Sequence, residues 1–280
     1  MRTRLRQGLV LIHSGTMPIQ KCPLCLDTKN VVSSHLMPAG MYEYCRMPGG
    51  NPVAFNTQVV LESSRQLQYP LLCLECEEIL NQRGEDWMLP LFAHLDGSFP
   101  FFDRLTKHPP TVVEGDAKCY SASSNPEIDC DKVAHFALGI FWKAAVHSWR
   151  GGETSPLIDL GKQTESIRRY LNAQAGLPND TTLTIGVLPK PVKHISFTLP
   201  YQGSSSAENN FLFYALGIQF TLLVGDQITL EQREASFTGH PQRPVLVVDF
   251  APMVQDIAVQ VMKKAHKAKN VQKYLRKAKA

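Results

Sequence analysis

The sequence lacks any apolar run that approaches the roughly 20 residues a membrane-spanning helix requires. The longest candidate, residues 211–224, is interrupted by polar side chains and a glycine. The N-terminus also lacks the apolar core of about 7–15 residues and the small-residue cleavage site of a secretory signal. We therefore predict a cytoplasmic protein without a membrane partner. Met17 is an alternative start, which would make residues 1–16 an upstream extension.

Acidic residues are absent from both ends of the chain. Residues 261–280 carry eight basic side chains and no acid, and three arginines stand within residues 1–6. The 280 residues together have a formal net charge of +4, so removing those eight charges leaves −4 for residues 1–260. A basic segment of this kind can contact the phosphates of DNA or RNA, or can serve as solvated charge. The residues predicted to contact nucleic acid are Lys263, Lys264, Lys267, Lys269, Lys273, Arg276 and Lys277.

Residues 111–262 lack a glycine-rich phosphate loop, a metal-ligand cluster and a Ser, His and Asp spacing that would indicate a nucleophilic triad. Helical periodicity predicts helices over residues 131–149 and 160–175, and β-branched and aromatic residues predict strands over 181–188, 194–199, 211–223 and 245–250. We predict an antiparallel sheet of about four strands packed on two helices, with no assigned role. A last helix is predicted from Ala251, leading into a basic C-terminal tail at 263–280.

Cysteine is the most informative residue type in the chain. Seven cysteines are an odd number for a disulfide scaffold, and four of them form two identical pairs, Cys22-Pro23-Leu24-Cys25 and Cys73-Leu74-Glu75-Cys76. Two C-x-x-C turns supply four thiolates for a tetrahedral ion, so we predict one structural zinc held by Cys22, Cys25, Cys73 and Cys76. The alternatives are a redox pair and four buried free cysteines.

The 47 residues between the two pairs predict how the site is built. Residues 31–36 and 69–72 are expected to form short strands, the first ending at His35 and a proline turn. A helix is expected after the second pair, with acids in its first turn and Gly84 as its end. A knuckle, a hairpin and a helix carrying the second pair form the layout of a treble clef.

Three motifs carry a resemblance to a known family: Cys22-x-x-Cys25, Ser34-His35-Leu36-x-Pro38 and Leu72-Cys73-x-x-Cys76-Glu77. Together, over residues 20–85, they resemble the cysteine-bearing branch of the HNH endonucleases and a divergent group of bacterial proteins like them. The resemblance implies a structural zinc and a separate Mg²⁺ or Mn²⁺. It also implies that His35 is the general base of phosphodiester hydrolysis. We predict an α+β protein in which an HNH-like treble-clef zinc domain spans 17–110 and is followed by an α+β domain at 111–262.

The sequence departs from the family pattern at the catalytic positions. Ser34 stands where the family has Asp or Glu, Gln68 is nearest to an expected Asn, and Glu77 replaces His or Asn. Glu77 or Glu85 is a candidate replacement for the missing carboxylate ligand, because hard cations prefer carboxylate oxygens. His35 could equally fix the turn, contact nucleic acid or ligate zinc. The alternatives to a nuclease are a non-catalytic treble clef that binds DNA or a protein partner, and a redox-sensing zinc protein.

Overall fold

The computed structural model describes residues 18–46, 53–55, 60–62, 66–149, 155–192, 195–203 and 209–250. Within these ranges the chain is a mixed α+β protein with a three-stranded, a seven-stranded and a two-stranded sheet. The predicted helix from Ala251, the basic tail and the possible start at Met17 lie outside the described residues, and those predictions stay as they were.

The N-terminal sheet is antiparallel and has three strands, β1 (Ile19–Lys21), β2 (Thr28–His35) and β5 (Gln68–Cys73), in the order β1-β2-β5. The first cysteine pair lies in the turn between β1 and β2, and the second begins at the last residue of β5. Between β2 and β5 come helix α1 (Ala39–Tyr44) and a separate hairpin of β3 (Val53–Phe55) and β4 (Val60–Glu62). The predicted strands on either side of this insertion are therefore paired with each other.

A continuous helical run follows β5. It comprises α2 (Leu74–Leu80), a π-helical turn (Asn81–Glu85), α3 (Asp86–Met88) and a 3-10 turn (Leu89–Leu91), and α4 (Pro100–Leu105) comes after it. The prediction that Gly84 ends the helix was wrong. A β-carbon at Gly84 would lie 2.8 Å from the backbone nitrogen of Phe136, so this glycine allows two helices to approach closely.

The seven-stranded sheet has the order β6-β7-β12-β8-β11-β10-β9. Its strands are β6 (Val112–Glu114), β7 (Ala117–Ser121), β8 (Thr181–Val187), β9 (Tyr201–Gln202), β10 (Asn210–Ala215), β11 (Ile218–Val224) and β12 (Pro244–Val247). All neighbouring pairs are antiparallel except β12 and β8, which are parallel. The predicted sheet was therefore too small, and its purely antiparallel pairing was wrong.

Two segments of this sheet differ from the predicted strands. Residues 211–223, predicted as one strand, form the hairpin of β10 and β11, and the turn residues Leu216 and Gly217 have φ values of 47° and 96°. Two successive positive φ values match the twist of a tight hairpin. Of the predicted strand at 194–199, the described part contributes an isolated bridge from Phe197 to Ala215.

The helices behind the sheet are α5 (Cys130–Val146) and α6 (Gln163–Leu171), both shorter than predicted; a short α7 (Leu230–Glu234) precedes β12. Helix α5 begins where the Asp129 carboxylate accepts a hydrogen bond from the backbone N–H of Lys132, a normal N-cap. It ends where His147 adopts an extended conformation. Nearly every residue of α5 from Val133 to Ala144 is buried, so this helix lies at the centre of the molecule.

One buried hydrophobic cluster contains side chains from the cysteine pairs, the helical run after β5, helix α5 and the seven-stranded sheet. The predicted domain boundary near residue 110 stays a prediction. The cluster shows that side chains of α5 pack together with those of the N-terminal sheet. No helix among the described residues is long and apolar enough to cross a membrane.

Candidate metal centre and the adjoining polar cluster

The two cysteine pairs converge at one point. The Sγ atoms of Cys22, Cys25, Cys73 and Cys76 all lie within 4.8 Å of one another, and those of Cys25 and Cys73 are 3.9 Å apart. Four sulfurs at about 2.3 Å from a central zinc ion would be about 3.8 Å from each other. The four cysteines are thus positioned to bind a metal ion, with a geometry compatible with structural zinc. Among the described residues they form the one such group of three or more Cys, His, Asp and Glu side chains.

The crowding of these sulfurs is visible in their protonation. Hydrogen bonding from the Cys76 side chain lowers the pKa of Cys22 to about 4, against the opposing effect of burial. Burial raises the pKa of Cys73 to about 12, and the hydrogen bond with Cys22 is the largest effect that raises the pKa of Cys76. A bound cation would displace the protons of these packed thiols, because metal ligation requires thiolates.

Backbone geometry presents both pairs to the same point. The first pair lies in a tight turn in which the Leu26 N–H donates to the Cys22 carbonyl at 2.8 Å, with Leu26 at a φ of 70°. The second pair spans the junction of β5 and α2, with Cys73 as the N-cap of the helix and Cys76 in its first turn. The Cys73 N–H donates to the Cys22 sulfur at 3.4 Å, which links the two pairs directly.

A buried arginine holds the first cysteine turn in place from a distant part of the chain. Arg168, on α6, donates from Nη1 to the Leu24 carbonyl at 2.6 Å, and the Glu165 carboxylate and the Gln174 amide oxygen accept from its other nitrogens. The charge of Cys25 also acts on Arg168. The guanidinium is thus placed to orient the turn and to balance the negative charge of metal-bound thiolates.

Replacing Arg168 with methionine is expected to weaken metal binding by about 10–100-fold, the usual effect of removing a partner that orients a ligand. The measurement is competition with a chromogenic zinc chelator. Arg169→Met is the matched control, because Arg169 is exposed on the same helix and should leave affinity unchanged. Equal retention of zinc by both variants would remove Arg168 from the support of the site.

His35 lies at the end of β2, partly exposed, on the same sheet that carries the cysteines. Its Cα partner on β5 is Gln68, the residue nearest to the asparagine of the family pattern. Burial lowers the pKa of His35 and the positive charge of Lys143 lowers it further, while a hydrogen bond with the Gln66 side chain and the charge of Glu85 act in the opposite direction. The ring is therefore neutral at neutral pH and available as a proton acceptor.

The two carboxylates predicted as candidates have defined partners. Ser34 is fully buried, and its hydroxyl donates to Glu77 Oε2 at 2.9 Å while accepting from the Leu72 N–H at 3.2 Å. Glu85 Oε1 accepts from Lys143 Nζ at 2.8 Å. Burial raises the pKa of Glu77, and the Lys143 charge and the Ser34 hydrogen bond oppose that rise.

Lys143 is the residue that joins this polar cluster. Its side chain is 1% exposed, it lies on helix α5 among mostly apolar buried residues, and its charge acts on both His35 and Glu77. Glu85, its ion-pair partner, is the last residue of the π-helical turn. Buried ionised groups are costly unless paired, and π-helical turns occur frequently at functional sites.

An aromatic group adjoins the cluster at the surface. Tyr69 follows Gln68 on β5 and is 46% exposed. Its ring stacks on His147 with a centroid distance of 4.0 Å and an interplanar angle of 28°. Trp149 meets His147 edge-on at 5.2 Å and donates from Nε1 to the Lys143 carbonyl at 2.7 Å. The end of α5 thus carries both a buried cation and a partly exposed ring stack.

Of the predicted site residues, the four cysteines lie together, and His35, Glu77 and Glu85 lie around Lys143. The predicted nucleic-acid contacts on the basic tail lie outside the described residues.

Sequence reasoning missed Lys143 and Arg168. A signal for Lys143 was present: it follows Ile140 by three residues on the inward stripe of a helix whose other inward residues, apart from His135, are apolar. Arg168 had no local signal, because its partner lies 144 residues away in the sequence.

Comparisons with protein-family models, with curated proteins and with solved structures found no match to this chain.

Proposed function

We propose that this protein is a zinc-stabilised, HNH-like treble-clef protein that binds nucleic acid and hydrolyses phosphodiester bonds with His35 as general base. The observation that carries the proposal is the convergence of the four cysteine sulfurs, with one pair in a turn and the other at a strand-to-helix junction. In this assignment zinc is structural, because four cysteines complete its coordination and leave no open position for a substrate.

The support for hydrolysis is the environment of His35. A neutral imidazole that is partly exposed, within reach of the charges of Glu85 and Lys143, has the attributes of a general base. His35 would accept a proton from a water molecule, whose oxygen attacks phosphorus. The bond from phosphorus to the bridging oxygen then breaks, and the leaving oxygen takes a proton from solvent. The Gln66 side chain would hold the imidazole in position.

The support for a nucleic-acid ligand is the ring stack of Tyr69 and His147. Exposed aromatic rings bind unpaired bases by stacking, at about 1–3 kcal/mol per base. Tyr69 pairs with Ser34, the neighbour of His35 on β2, so a base stacked on Tyr69 would lie at the same end of the sheet as the histidine. The basic tail predicted from the sequence would add phosphate contacts that weaken with salt.

Substitution of His35 by alanine is expected to reduce cleavage of labelled DNA and RNA oligonucleotides by at least about 100-fold, as for loss of a general base. Zinc content, measured by elemental analysis, should not change. Because the pKa of His35 is lowered, the imidazole stays neutral through neutral pH. The cleavage rate of the unmodified protein should therefore stay constant there and fall only below about pH 6.5, the usual pKa of histidine, where the ring takes up a proton. His108→Ala is the control, since His108 is exposed on a loop. Equal cleavage by the two variants would remove His35 from the mechanism.

A second function, a non-catalytic treble clef that binds DNA or a protein, is favoured by one observation: a buried serine, Ser34, stands where the family has a carboxylate. The same assay separates the two functions. Binding of oligonucleotides without cleavage, with or without added Mg²⁺ or Mn²⁺, would establish the non-catalytic function. A cytoplasmic location and a bacterial origin stay predictions.

A further inference from the structure

The HNH resemblance implies a divalent ion next to the general base, and the side chains around His35 do not fit one. Mg²⁺ and Mn²⁺ are held by carboxylate oxygens and water in nearly octahedral geometry. Here Ser34 has no carboxylate to offer, Glu77 accepts from its hydroxyl, and Glu85 accepts from an ammonium group. Among the described residues, no metal-holding group of His, Asp and Glu forms around His35.

A cation of the protein itself, the Lys143 ammonium, already pairs with a carboxylate of this cluster. We infer that the Lys143 ammonium is the fixed cation of this centre, that the centre binds no second metal, and that hydrolysis at His35 proceeds without an added divalent ion. The catalytic half of this inference, hydrolysis without an added divalent ion, rests on the proposed function. The metal-binding half, that the centre binds no second metal, does not.

Three observations place Lys143 in this role. Its ammonium is 2.8 Å from Glu85 Oε1, a distance typical of a charge-assisted hydrogen bond. Its charge acts on His35 and on Glu77, so it lies within electrostatic reach of the groups that would otherwise surround a divalent ion. Its side chain is 1% exposed, so solvent does not screen that charge. A cation at this position neutralises the carboxylates in the way that an ion would.

The backbone geometry brings Lys143 and Glu85 together. The π-helical turn Asn81–Glu85 sets Glu85 opposite α5, and Gly84 lets that turn approach the backbone of Phe136 closely. Trp149 donates to the carbonyl of Lys143 and so ties the following chain to the same residue. Because Lys143 is buried, it does not contact substrate directly; it is a positioning residue that holds Glu85, and its charge adds to the effect of burial in favouring the neutral form of His35.

Titration of zinc-loaded protein with Mn²⁺, followed by electron paramagnetic resonance, tests the assignment. We expect the unmodified protein to have no Mn²⁺ site near Glu85 with a Kd below about 1 mM. Lys143→Met frees the Glu85 carboxylate and should create one such site. The double variant Lys143→Met/Glu85→Gln should lose it again. Zinc content and circular dichroism report whether each variant is folded.

Two outcomes would overturn the assignment. One is an Mn²⁺ site in the unmodified protein that Glu85→Gln abolishes; this measurement does not depend on the folding of any Lys143 variant. The other is a folded Lys143→Met that gains no site. In the oligonucleotide assay, equal rates with no added ion and with Mg²⁺ support the catalytic half, and a strict requirement for Mg²⁺ overturns it. Absence of cleavage under every condition would overturn the proposed hydrolysis, and the Mn²⁺ titration would still decide the role of Lys143.

Discussion

Cys73→Ser is expected to remove the bound metal and to unfold the N-terminal sheet. Cys73 is the last residue of β5, the N-cap of α2 and one of the four sulfurs, so its loss affects the strand, the helix and the metal together. Structural zinc binds zinc-finger peptides with about 10–16 kcal/mol of apparent free energy. That is comparable with the whole stability of a domain, about 5–15 kcal/mol.

The measurement is zinc content by elemental analysis together with thermal unfolding followed by circular dichroism. The unmodified protein should contain one zinc per chain, and the variant should contain none and melt at a lower temperature. Cys119→Ser is the control: Cys119 is a free, partly exposed cysteine on β7 and should retain both the metal and the melting temperature. Purified unmodified protein without zinc would refute the metal assignment, and retention of zinc by Cys73→Ser would remove Cys73 from the site.

The second large effect is expected from Glu85→Leu, which leaves the ammonium of Lys143 buried without its partner. Breaking a buried ion pair from one side costs about 3–5 kcal/mol of unfolding free energy. The side chains of Lys143 and Glu85 are 1% and 14% exposed, so water replaces the lost carboxylate poorly. In the double variant Lys143→Met/Glu85→Leu the unpaired charge is gone, and stability should return to within about 1–2 kcal/mol of the unmodified protein.

Chemical denaturation of the four proteins in this double-mutant cycle gives the coupling free energy directly. The exposed pair of Lys162 and Asp226 provides the control, since its side chains are 65% and 76% exposed. Asp226→Leu should cost less than about 1 kcal/mol. A Glu85→Leu variant as stable as Asp226→Leu would mean that Lys143 is not held as a buried charge.

Much of the N-terminal site could be predicted from local sequence. The spacing of each cysteine pair, the proline turn after His35 and the acids after Cys76 are signals within a few residues of each other. The structure brings the four sulfurs together as predicted, on a turn and a strand-to-helix junction. Zinc as the metal, and the treble clef as its frame, stay predictions.

Local patterns were least informative where an interpretation depended on a partner far along the chain. Gly84 has the sequence signature of a helix end, yet the helical run continues because Phe136 approaches it from α5. Residues 211–223 were predicted as one strand. The turn that divides them into two consists of only Leu216 and Gly217, which is too short to interrupt the β-rich pattern. Strands β6 and β7 were missed because all three residues of β6 are exposed and β7 buries only Tyr120, so neither has a clear alternation of apolar and polar residues.

The sequence by itself determined each half of the candidate metal centre, because a C-x-x-C turn directs two sulfurs to one side whatever lies around it. Only the tertiary structure decided what stands beside His35. Glu85 and Lys143 are 58 residues apart, and Arg168 and Leu24 are 144 apart, so no local spacing relates them. Periodicity reports which face of a helix is buried, but packing alone decides which buried groups meet. For this reason the sequence indicated the basic tail as the functional positive charge, whereas the described residues indicate the buried Lys143.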